Sequence, residues 1–282
     1  MSIELTIPKP LVFIPGEFFP SISITGSRCW LMCSYCRGRY LKGMVHIEGP
    51  GELYSVAKYY WRRGAYGLLI SGGFTREGIL PVKPYLPVIR DIKRDFDLII
   101  SIHPGLIDRG LIEEIRSVGV DIVDYELVLD NYIIRDLKHL NKTIEDYIKT
   151  YEELLENGPP HIVPHIPIGF TRDDRWIYTA INILREYKPE ITVFLVSISL
   201  DQNQVDRVVE ILRYTRKKLY ETSLGCMRPY KIKPILDRIV IEEKLIDRIV
   251  NPSKKYIKEY KLKVINTCCS IPYTMLKEKN LI

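Results

Sequence analysis

From about residue 20 onwards, the chain alternates between two patterns of apolar and polar residues, one typical of strands and one typical of helices. Short runs rich in β-branched residues, such as Leu98-Ile99-Ile100, are typical of parallel strands that are buried on both faces. These runs predict strands at Ser21–Thr25, Gly67–Ser71, Leu98–Ile102, Asp121–Leu127, His161–Ile166, Thr192–Ser197, Thr222–Gly225 and Arg248–Asn251.

Between these runs, apolar residues recur at three- and four-residue spacing, as at Tyr54, Ala57 and Trp61. This spacing predicts helices at Glu52–Arg63, Val82–Phe96, Ile107–Ser117, Ile144–Glu156, Arg175–Tyr187, Gln204–Leu219, Pro234–Leu245 and Ser253–Tyr260. Eight strand–helix units indicate an α/β fold, a (β/α)8 TIM-type barrel. Pro229 and Pro234 interrupt the pattern in the last two units, so a partly open barrel with six regular units is the alternative.

The pattern shows no linker, and a single domain over residues 1–282 is expected. Residues 1–20 form an N-terminal extension that carries Glu4, Lys9 and Glu17, which is unlike a signal peptide. Residues 261–282 form a tail, predicted as a strand, a turn and a helical turn that close one end of the barrel. No apolar run approaches the roughly 18 residues of a membrane span, so a cytoplasmic protein without a membrane partner is expected.

Composition narrows the class of partner. The 282 residues are 46% hydrophobic and 27% charged, which is enough apolar material for a packed core. The formal charge is +6, which is too small a bias to indicate nucleic-acid binding but favours an acidic protein partner. Only two glutamines occur beside many Ile, Lys and Glu, a balance typical of heat-adapted proteins.

The most informative feature is a run of cysteines directly after the first predicted strand. Cys29, Cys33 and Cys36 form a C-x3-C-x2-C array, and Tyr35 precedes the third cysteine. Three such thiolates hold three corners of a [4Fe–4S] cluster and leave the fourth iron open for a ligand. A structural zinc site would need a fourth ligand, for which only His46 lies nearby, and three unrelated core cysteines are the remaining alternative.

This array resembles the signature of the radical S-adenosylmethionine (radical SAM) superfamily. The resemblance implies that the methionyl amine and carboxylate of S-adenosylmethionine occupy the open iron. It also implies that one electron from the cluster cleaves the sulfonium and yields a 5′-deoxyadenosyl radical, which abstracts hydrogen from an unactivated carbon.

Other positions resemble the cofactor contacts of this superfamily. Ser71, Gly72 and Gly73 end the second strand where the superfamily carries a Gly-Gly-Glu motif for the methionine amine, although Phe74 replaces the acidic residue. A glycine there lets the backbone approach a ligand.

The fourth and fifth strands add further candidates. Glu126 and Asp130 resemble ribose-binding residues of biotin synthase, and solvated charges at a strand end are the alternative. Ile168 and Gly169 match the strand end that packs against adenine. His165 is interpreted as a core histidine, whereas His103 receives no role.

Three further cysteines lie late in the chain: Cys226, Cys268 and Cys269. They predict a second, auxiliary [4Fe–4S] cluster opposite the first, and buried cysteines used as small apolar residues are the alternative. Adjacent residues of an extended strand point to opposite faces, so Cys268 and Cys269 both reach a cluster only if the chain bends. If one does not ligate, Ser270 and Arg228 are the substitute ligands considered.

The arrangement of Cys29 to Met44, Leu224 to Pro229 and the late Cys-Cys pair is similar to archaeal biotin-synthase-related proteins that form one subunit of a two-component lipoyl synthase. That resemblance implies sulfur insertion into a protein-bound octanoyl chain, with sulfide taken from the auxiliary cluster. It also implies three partners: an octanoylated carrier (an acidic lipoyl domain or glycine-cleavage H protein), a second radical SAM subunit and a ferredoxin-type electron donor.

Two alternatives remain open at this stage. One is a radical SAM enzyme of another sulfur-insertion or rearrangement type, similar to biotin synthase. The other is a non-catalytic iron–sulfur protein. A transfer-RNA methylthiotransferase is disfavoured, because the chain has no length for an RNA-binding domain and a charge of only +6.

Overall fold

The computed structural model describes residues 9–171 and 173–282. Its strands are β1 Leu11–Phe13, β2 Ser21–Ser23, β3 Val45–His46, β4 Gly67–Ser71, β5 Ile99–Ile102, β6 Ile122–Glu126, β7 His161–Ile168, β8 Thr192–Val196, β9 Thr222–Leu224, β10 Arg248–Val250 and β11 Val264–Ile265. Its α-helices are α1 Pro50–Arg62, α2 Leu86–Asp95, α3 Arg109–Ser117, α4 Ile144–Asn157, α5 Arg175–Tyr187, α6 Val205–Arg216, α7 Lys233–Glu242, α8 Lys254–Glu259 and α9 Tyr273–Glu278. All eight predicted strands and all eight predicted helices are confirmed.

The sheet is parallel throughout and runs in the order β11-β1-β10-β9-β8-β7-β6-β5-β4-β2-β3. It curls into a half-barrel, so the α/β prediction is confirmed in its partly open form. Within the described residues the sheet does not close, because β3 and β11 are its edges. The predicted N-terminal extension contributes β1, which pairs with β10 and β11 at the place where a closed barrel would join its first and last strands. Residues 1–8 of that extension lie outside the described part of the chain.

The helices cover the convex face of the sheet, because the three- and four-residue spacing of their apolar residues gives each helix one apolar side. Leu86, Ile89 and Ile92 of α2 are buried against the sheet, which stabilises the fold by roughly 1.5–3 kcal/mol per side chain. Pro234 does not interrupt the last part of the fold, because it lies in the first turn of α7, where no helical N–H bond is lost. No helix among the described residues combines the length and the apolar character that a membrane crossing needs.

The two faces of the sheet differ in character. In β5, Ile100 and Ile102 pack with the helices, whereas Ile99 faces the concave side. There it joins an apolar cluster with Ile122 and Val163, which hold the corresponding positions of β6 and β7. Because side chains alternate along a strand, the next concave positions lie two residues further on, towards the carboxyl ends of the strands.

The predicted tail is confirmed as a short strand, a turn and a terminal helix. Ile271 and Leu276 of the tail join the concave apolar cluster. Beyond α9, Lys279 Nζ lies 2.6 Å from Asp97 Oδ1, two residues before β5. The tail therefore covers the amino-terminal end of the half-barrel and leaves the carboxyl-terminal end free for a site.

Candidate active site

The three cysteines of the predicted cluster loop follow β2 at the carboxyl-terminal edge of the sheet. Cys33 is buried, Cys29 and Cys36 are half-buried, and none of them forms a disulfide. Burial raises the pKa of Cys33 to about 11 and also raises the pKa of Cys36. Thiols in this environment become thiolates when a metal displaces their protons, so the donor set fits an iron–sulfur cluster.

Thr25 fastens this loop to the end of β4. Its hydroxyl donates a hydrogen bond to the carbonyl of Arg28, at 2.8 Å, and accepts one from the backbone N–H of Gly73, at 2.7 Å. Just beyond, the N–H of Trp30 donates to the carbonyl of Phe74 at 3.0 Å. A single buried hydroxyl and one backbone carbonyl therefore set the distance between the cysteine loop and the Gly72-Gly73 turn.

Gly73 is required by the packing of the loop. A Cβ at this position would lie 1.9 Å from the carbonyl oxygen of Arg28 and 2.5 Å from Cα of Cys29. The close approach of this glycine to a bound cofactor stays a prediction, and the packing of the loop is a second reason for the glycine. The absence of a side chain admits the cysteine loop itself, and Phe74, which replaces the acidic residue of the superfamily motif, serves the loop through its carbonyl.

A second anchor holds the other side of the loop, and sequence reasoning missed it. The N–H of Ser34 donates to the carbonyl of Leu137 at 2.8 Å, and its Oγ lies 3.1 Å from Nε2 of His139. Between these residues, the buried Lys138 forms an ion pair with Glu126. Burial alone would lower the pKa of Lys138, but the charges of Glu126, Tyr147 and Cys33 and the hydrogen bond to Glu126 together outweigh it, and the pKa is raised. No sequence signal identifies this anchor, because the partners are about a hundred residues apart.

Two of the four predicted adenosine-binding positions, Asp130 and Gly169, line one cavity. It has a volume of about 710 Å³ and is lined by Asp130, Tyr132, Gly169, Phe170, Thr171, Asp173, Ser199, Leu200, Gln204 and Arg207. The ring of Phe170 makes an edge contact with that of Tyr35, at 4.5 Å between centroids, so the cavity adjoins the cysteine loop.

The four predicted adenosine contacts differ in how accessible they are to a ligand. Asp130 Oδ1 accepts from the N–H of Tyr132 at 2.7 Å and thus caps a helical turn. Gly169 lines the cavity, and a Cβ there would meet Leu200 at 2.4 Å. Ile168 is fully buried in the core on the helix side, so only its backbone is available to a ligand. Glu126 lies near the cluster loop, because its charge contributes, after burial, to the raised pKa of Cys36.

The late cysteines approach one another on the concave side. The chain bends after β11, with the N–H of Thr267 donating to the carbonyl of Ile265 at 3.0 Å. As a result, the thiol of Cys268 hydrogen-bonds to Cys269, which raises the pKa of Cys268 and lowers that of Cys269. The chain is therefore bent here, and ligation of a cluster by both cysteines stays a prediction.

Cys226 follows β9 and is accessible to solvent. Although part of the residue is exposed, desolvation of the thiol by surrounding protein atoms raises its pKa, and the charge of Cys269 contributes to the same shift. Burial also raises the pKa of Tyr40 to about 12, with smaller contributions from both Cys36 and Cys226. One cysteine of each set therefore acts on Tyr40, a residue to which sequence reasoning assigned no role.

Two buried arginines hold the second set in place. Arg248 is fully buried and donates to the carbonyls of Cys269 and Ile271, at 2.7 and 2.6 Å. Arg228 donates to the carbonyl of Val250 at 2.6 Å and lies 3.2 Å from the buried carboxylate of Asp237. Because its guanidinium is occupied in this way, Arg228 is not available as a substitute ligand, and Ser270 is almost wholly buried.

The interior between the two sets of cysteines is polar. The apolar residues of the concave face lie nearer the amino-terminal ends of the strands, and the layer towards the carboxyl-terminal ends carries His103, Asp124 and His165. Asp124 is buried and accepts a 2.5 Å hydrogen bond from Ser101. His165 faces this interior, although it is also a buried residue that bonds to the backbone, and burial lowers the pKa of His103.

Comparisons with known proteins agree with this geometry. Among solved structures, the chain is similar to methylornithine synthase (PylB), with a TM-score of 0.63 and 12% identity over 97% of this chain and 86% of that chain. It is also similar to HydG, a maturase of FeFe-hydrogenase, with a TM-score of 0.61 and 13% identity over 86% of this chain and 57% of that chain. HydG from Carboxydothermus hydrogenoformans gives a TM-score of 0.61 at 15% identity, over 86% and 58%. At these identities the likeness shows the fold alone.

Sequence comparison gives the family. No curated protein matches the chain. The sequence model of the Radical SAM superfamily matches residues 23–179, which is more than half of the chain and includes the cysteine loop, the Gly72-Gly73 turn and Gly169. The chain therefore belongs to the Radical SAM superfamily.

Proposed function

We propose that this chain is a radical SAM sulfur-insertion enzyme and acts as one subunit of a two-component lipoyl synthase. The observation that carries the proposal is the second set of cysteines, Cys226, Cys268 and Cys269: Cys268 and Cys269 pack together on the concave face, and the charge of Cys269 acts on Cys226. Three thiolates suit an auxiliary [4Fe–4S] cluster. The substrate would be an octanoyl chain bound to a carrier protein.

Under this proposal, two groups of residues in this chain have separate roles. Cys29, Cys33 and Cys36 would hold the first cluster, and the cavity beside Tyr35 and Phe170 would hold the adenosyl part of S-adenosylmethionine. When bound, these groups supply hydrogen-atom abstraction from an unactivated carbon, which no acid or base in the site can ionise.

The second set of cysteines would hold the sulfur source across the concave interior. Arg248 fixes the backbone of the tail beside Cys269, so this part of the chain needs no rearrangement to present its thiols.

The partners proposed with this function follow from the substrate. They are an octanoylated lipoyl domain or glycine-cleavage H protein, a second radical SAM subunit that thiolates the other carbon, and a ferredoxin-type donor. The charge of +6 supports recognition of an acidic carrier.

The polar interior favours a second candidate. His103, Asp124 and His165 offer hydrogen bonds that an octanoyl chain does not use, whereas a small polar substrate does. A sulfur-insertion or rearrangement enzyme similar to biotin synthase is therefore the alternative. A rearrangement enzyme with one cluster would contain about four irons per chain, and two clusters would give about eight.

The proposal is tested with a variant in which cleavage of S-adenosylmethionine is uncoupled from sulfur insertion. In Cys226→Ala the first cluster loop is unchanged, so we expect continued formation of 5′-deoxyadenosine from S-adenosylmethionine. Because the sulfur source is lost, no thiolated octanoyl product should form. Since the tail is bent, Cys268→Ala and Cys269→Ala should both lose the second cluster. Full iron content and normal sulfur insertion in all three variants would contradict the proposal, and failure of the wild type to cleave S-adenosylmethionine would instead favour a non-catalytic iron–sulfur protein.

A further inference from the structure

Three side chains on the concave face converge without bonding to one another. His103 directly follows β5, Asp124 lies in β6 and His165 lies in β7. One ligand atom from each lies within 4.8 Å of the other two. His103 Nε2 is 3.8 Å from Asp124 Oδ2, and His165 Nε2 is 3.9 Å from Asp124 Oδ1. Both distances exceed the range of a hydrogen bond.

The hydrogen bonds around His165 determine which atoms face each other. Its Nδ1 lies 3.0 Å from the carbonyl of Val163, which can only accept, so Nδ1 carries the proton. In the neutral ring, the lone pair of Nε2 is therefore available on the side of Asp124. A protonated ring would instead donate from Nε2 to the carboxylate at hydrogen-bond distance, about 2.7–3.2 Å.

Asp124 presents a matching unpartnered atom. Its side chain is 2% exposed, and its Oδ2 accepts the hydrogen bond from Ser101. Its Oδ1 is buried and has no hydrogen-bond partner. A buried acceptor without a partner costs about 1–3 kcal/mol, and here it faces a second acceptor, the lone pair of His165. A cation between the two atoms removes both costs.

We propose that His103, Asp124 and His165 form a binding site for a divalent transition-metal ion, with no cysteine among its ligands. Two imidazoles and one carboxylate suit Zn²⁺ or Fe²⁺ better than Mg²⁺ or Ca²⁺, which prefer oxygen ligands. The backbone bond of His165 is the orienting contact that metal-bound histidines make. His103 has a comparable neighbour, since its Nδ1 lies 3.5 Å from Oγ of Ser71.

The size of the gap agrees with an ion of this class. Two atoms that each lie about 2.1 Å from a tetrahedral zinc are about 3.4 Å apart. The observed separations of 3.8 and 3.9 Å involve the two different oxygens of Asp124, and the three ligand atoms lie within 4.8 Å of one another. The side chains would therefore close by about 0.4–1.4 Å around the ion. The side chain of His103 is 35% exposed, so the ion has a route from the concave cavity and an open coordination position on that side.

The test uses the full chain with its iron–sulfur clusters reconstituted, so that iron occupies the cysteines. Zn²⁺ is added, weakly bound metal is removed by dialysis, and zinc content and X-ray absorption at the zinc edge are measured. We expect one zinc per chain with nitrogen and oxygen ligands at about 2.0–2.1 Å. Asp124→Asn and His165→Gln should each lose this zinc. The matched control is His161→Gln, because His161 lies on the same strand but pairs with Glu190 at the surface.

The outcomes separate the possibilities. Binding of no zinc would overturn the proposal, as would a zinc shell built from sulfur at about 2.3 Å or full retention of zinc in Asp124→Asn. Circular dichroism and thermal unfolding of each variant verify that the fold is kept. Should Asp124→Asn fail to fold, the half-exposed His103→Gln provides the decisive variant, and it too must lose zinc.

Discussion

Replacing Gly73 by alanine tests whether the cysteine loop is set by packing on the end of β4. The new Cβ would lie 1.9 Å from the Arg28 carbonyl oxygen, and real Cβ contacts do not fall below 3.0 Å, so this carbonyl has to move by about 1.1 Å. Overpacking of this kind costs roughly 1–3 kcal/mol. The hydrogen bonds of Thr25 to Gly73 and Arg28 are strained at the same time, which adds about 1 kcal/mol. We expect the free energy of unfolding to fall by about 2–4 kcal/mol.

The assay is anaerobic cluster reconstitution, followed by iron analysis and measurement of 5′-deoxyadenosine formed under dithionite. Because Cys29 shifts with Arg28, Gly73→Ala should lose the first cluster, about four irons per chain, and all cleavage of S-adenosylmethionine, with its circular dichroism little changed. Gly43→Ala is the matched control, since a Cβ at Gly43 meets nothing within 4 Å. The reasoning is refuted if Gly73→Ala keeps its full iron content and shows only weaker binding of S-adenosylmethionine.

Three other substitutions test the anchors of the site. Thr25→Val leaves a buried N–H without a partner, so urea unfolding should show a loss of about 1–3 kcal/mol, whereas unchanged stability would mean that this hydroxyl does not fasten the loop. Lys138→Met leaves the charge of Glu126 unpaired and should lower the free energy of unfolding by about 2 kcal/mol, a value reduced by the partial exposure of that carboxylate. Adding Glu126→Gln to this variant should recover at least half of the lost stability. No recovery would contradict the pairing. Arg248→Met frees the carbonyl of Cys269 and should remove only the second cluster on iron analysis, so retention of about eight irons would contradict its role in holding the tail.

The parts of the fold that follow from periodicity were predictable. The strand Gly67–Ser71 and the helix Arg175–Tyr187 agree with the prediction to the residue, because their apolar runs are regular and long enough to define a period. β1 was not predicted, since Leu11–Phe13 spans only three residues and shows no alternation. β1 lies at the place where a closed barrel would join its first and last strands. The eight predicted strand–helix units alone therefore did not indicate whether the barrel closes.

The site was predictable as a set of residues but not as a set of contacts. The spacing of Cys29, Cys33 and Cys36 indicated the loop, whereas the anchor at Lys138 depends on residues that are far apart in sequence. The inward orientation of His165 was also hidden, because β7 is buried on both faces and has no polar alternation to distinguish them. That His103, Asp124 and His165 lie together in the interior could be seen only from the register of β5, β6 and β7.

Iron analysis of a variant without the first cluster tests the central claim most directly. The claim is that one chain carries a superfamily cluster at Cys29, Cys33 and Cys36 and a second cluster at the late cysteines. The triple variant Cys29→Ala, Cys33→Ala and Cys36→Ala is reconstituted anaerobically, and its iron content and Mössbauer spectrum are compared with those of the wild type. The account predicts about eight irons in the wild type and about four in the variant, with the spectrum of an intact [4Fe–4S] cluster. A variant without iron, or a wild type with only about four, would contradict it.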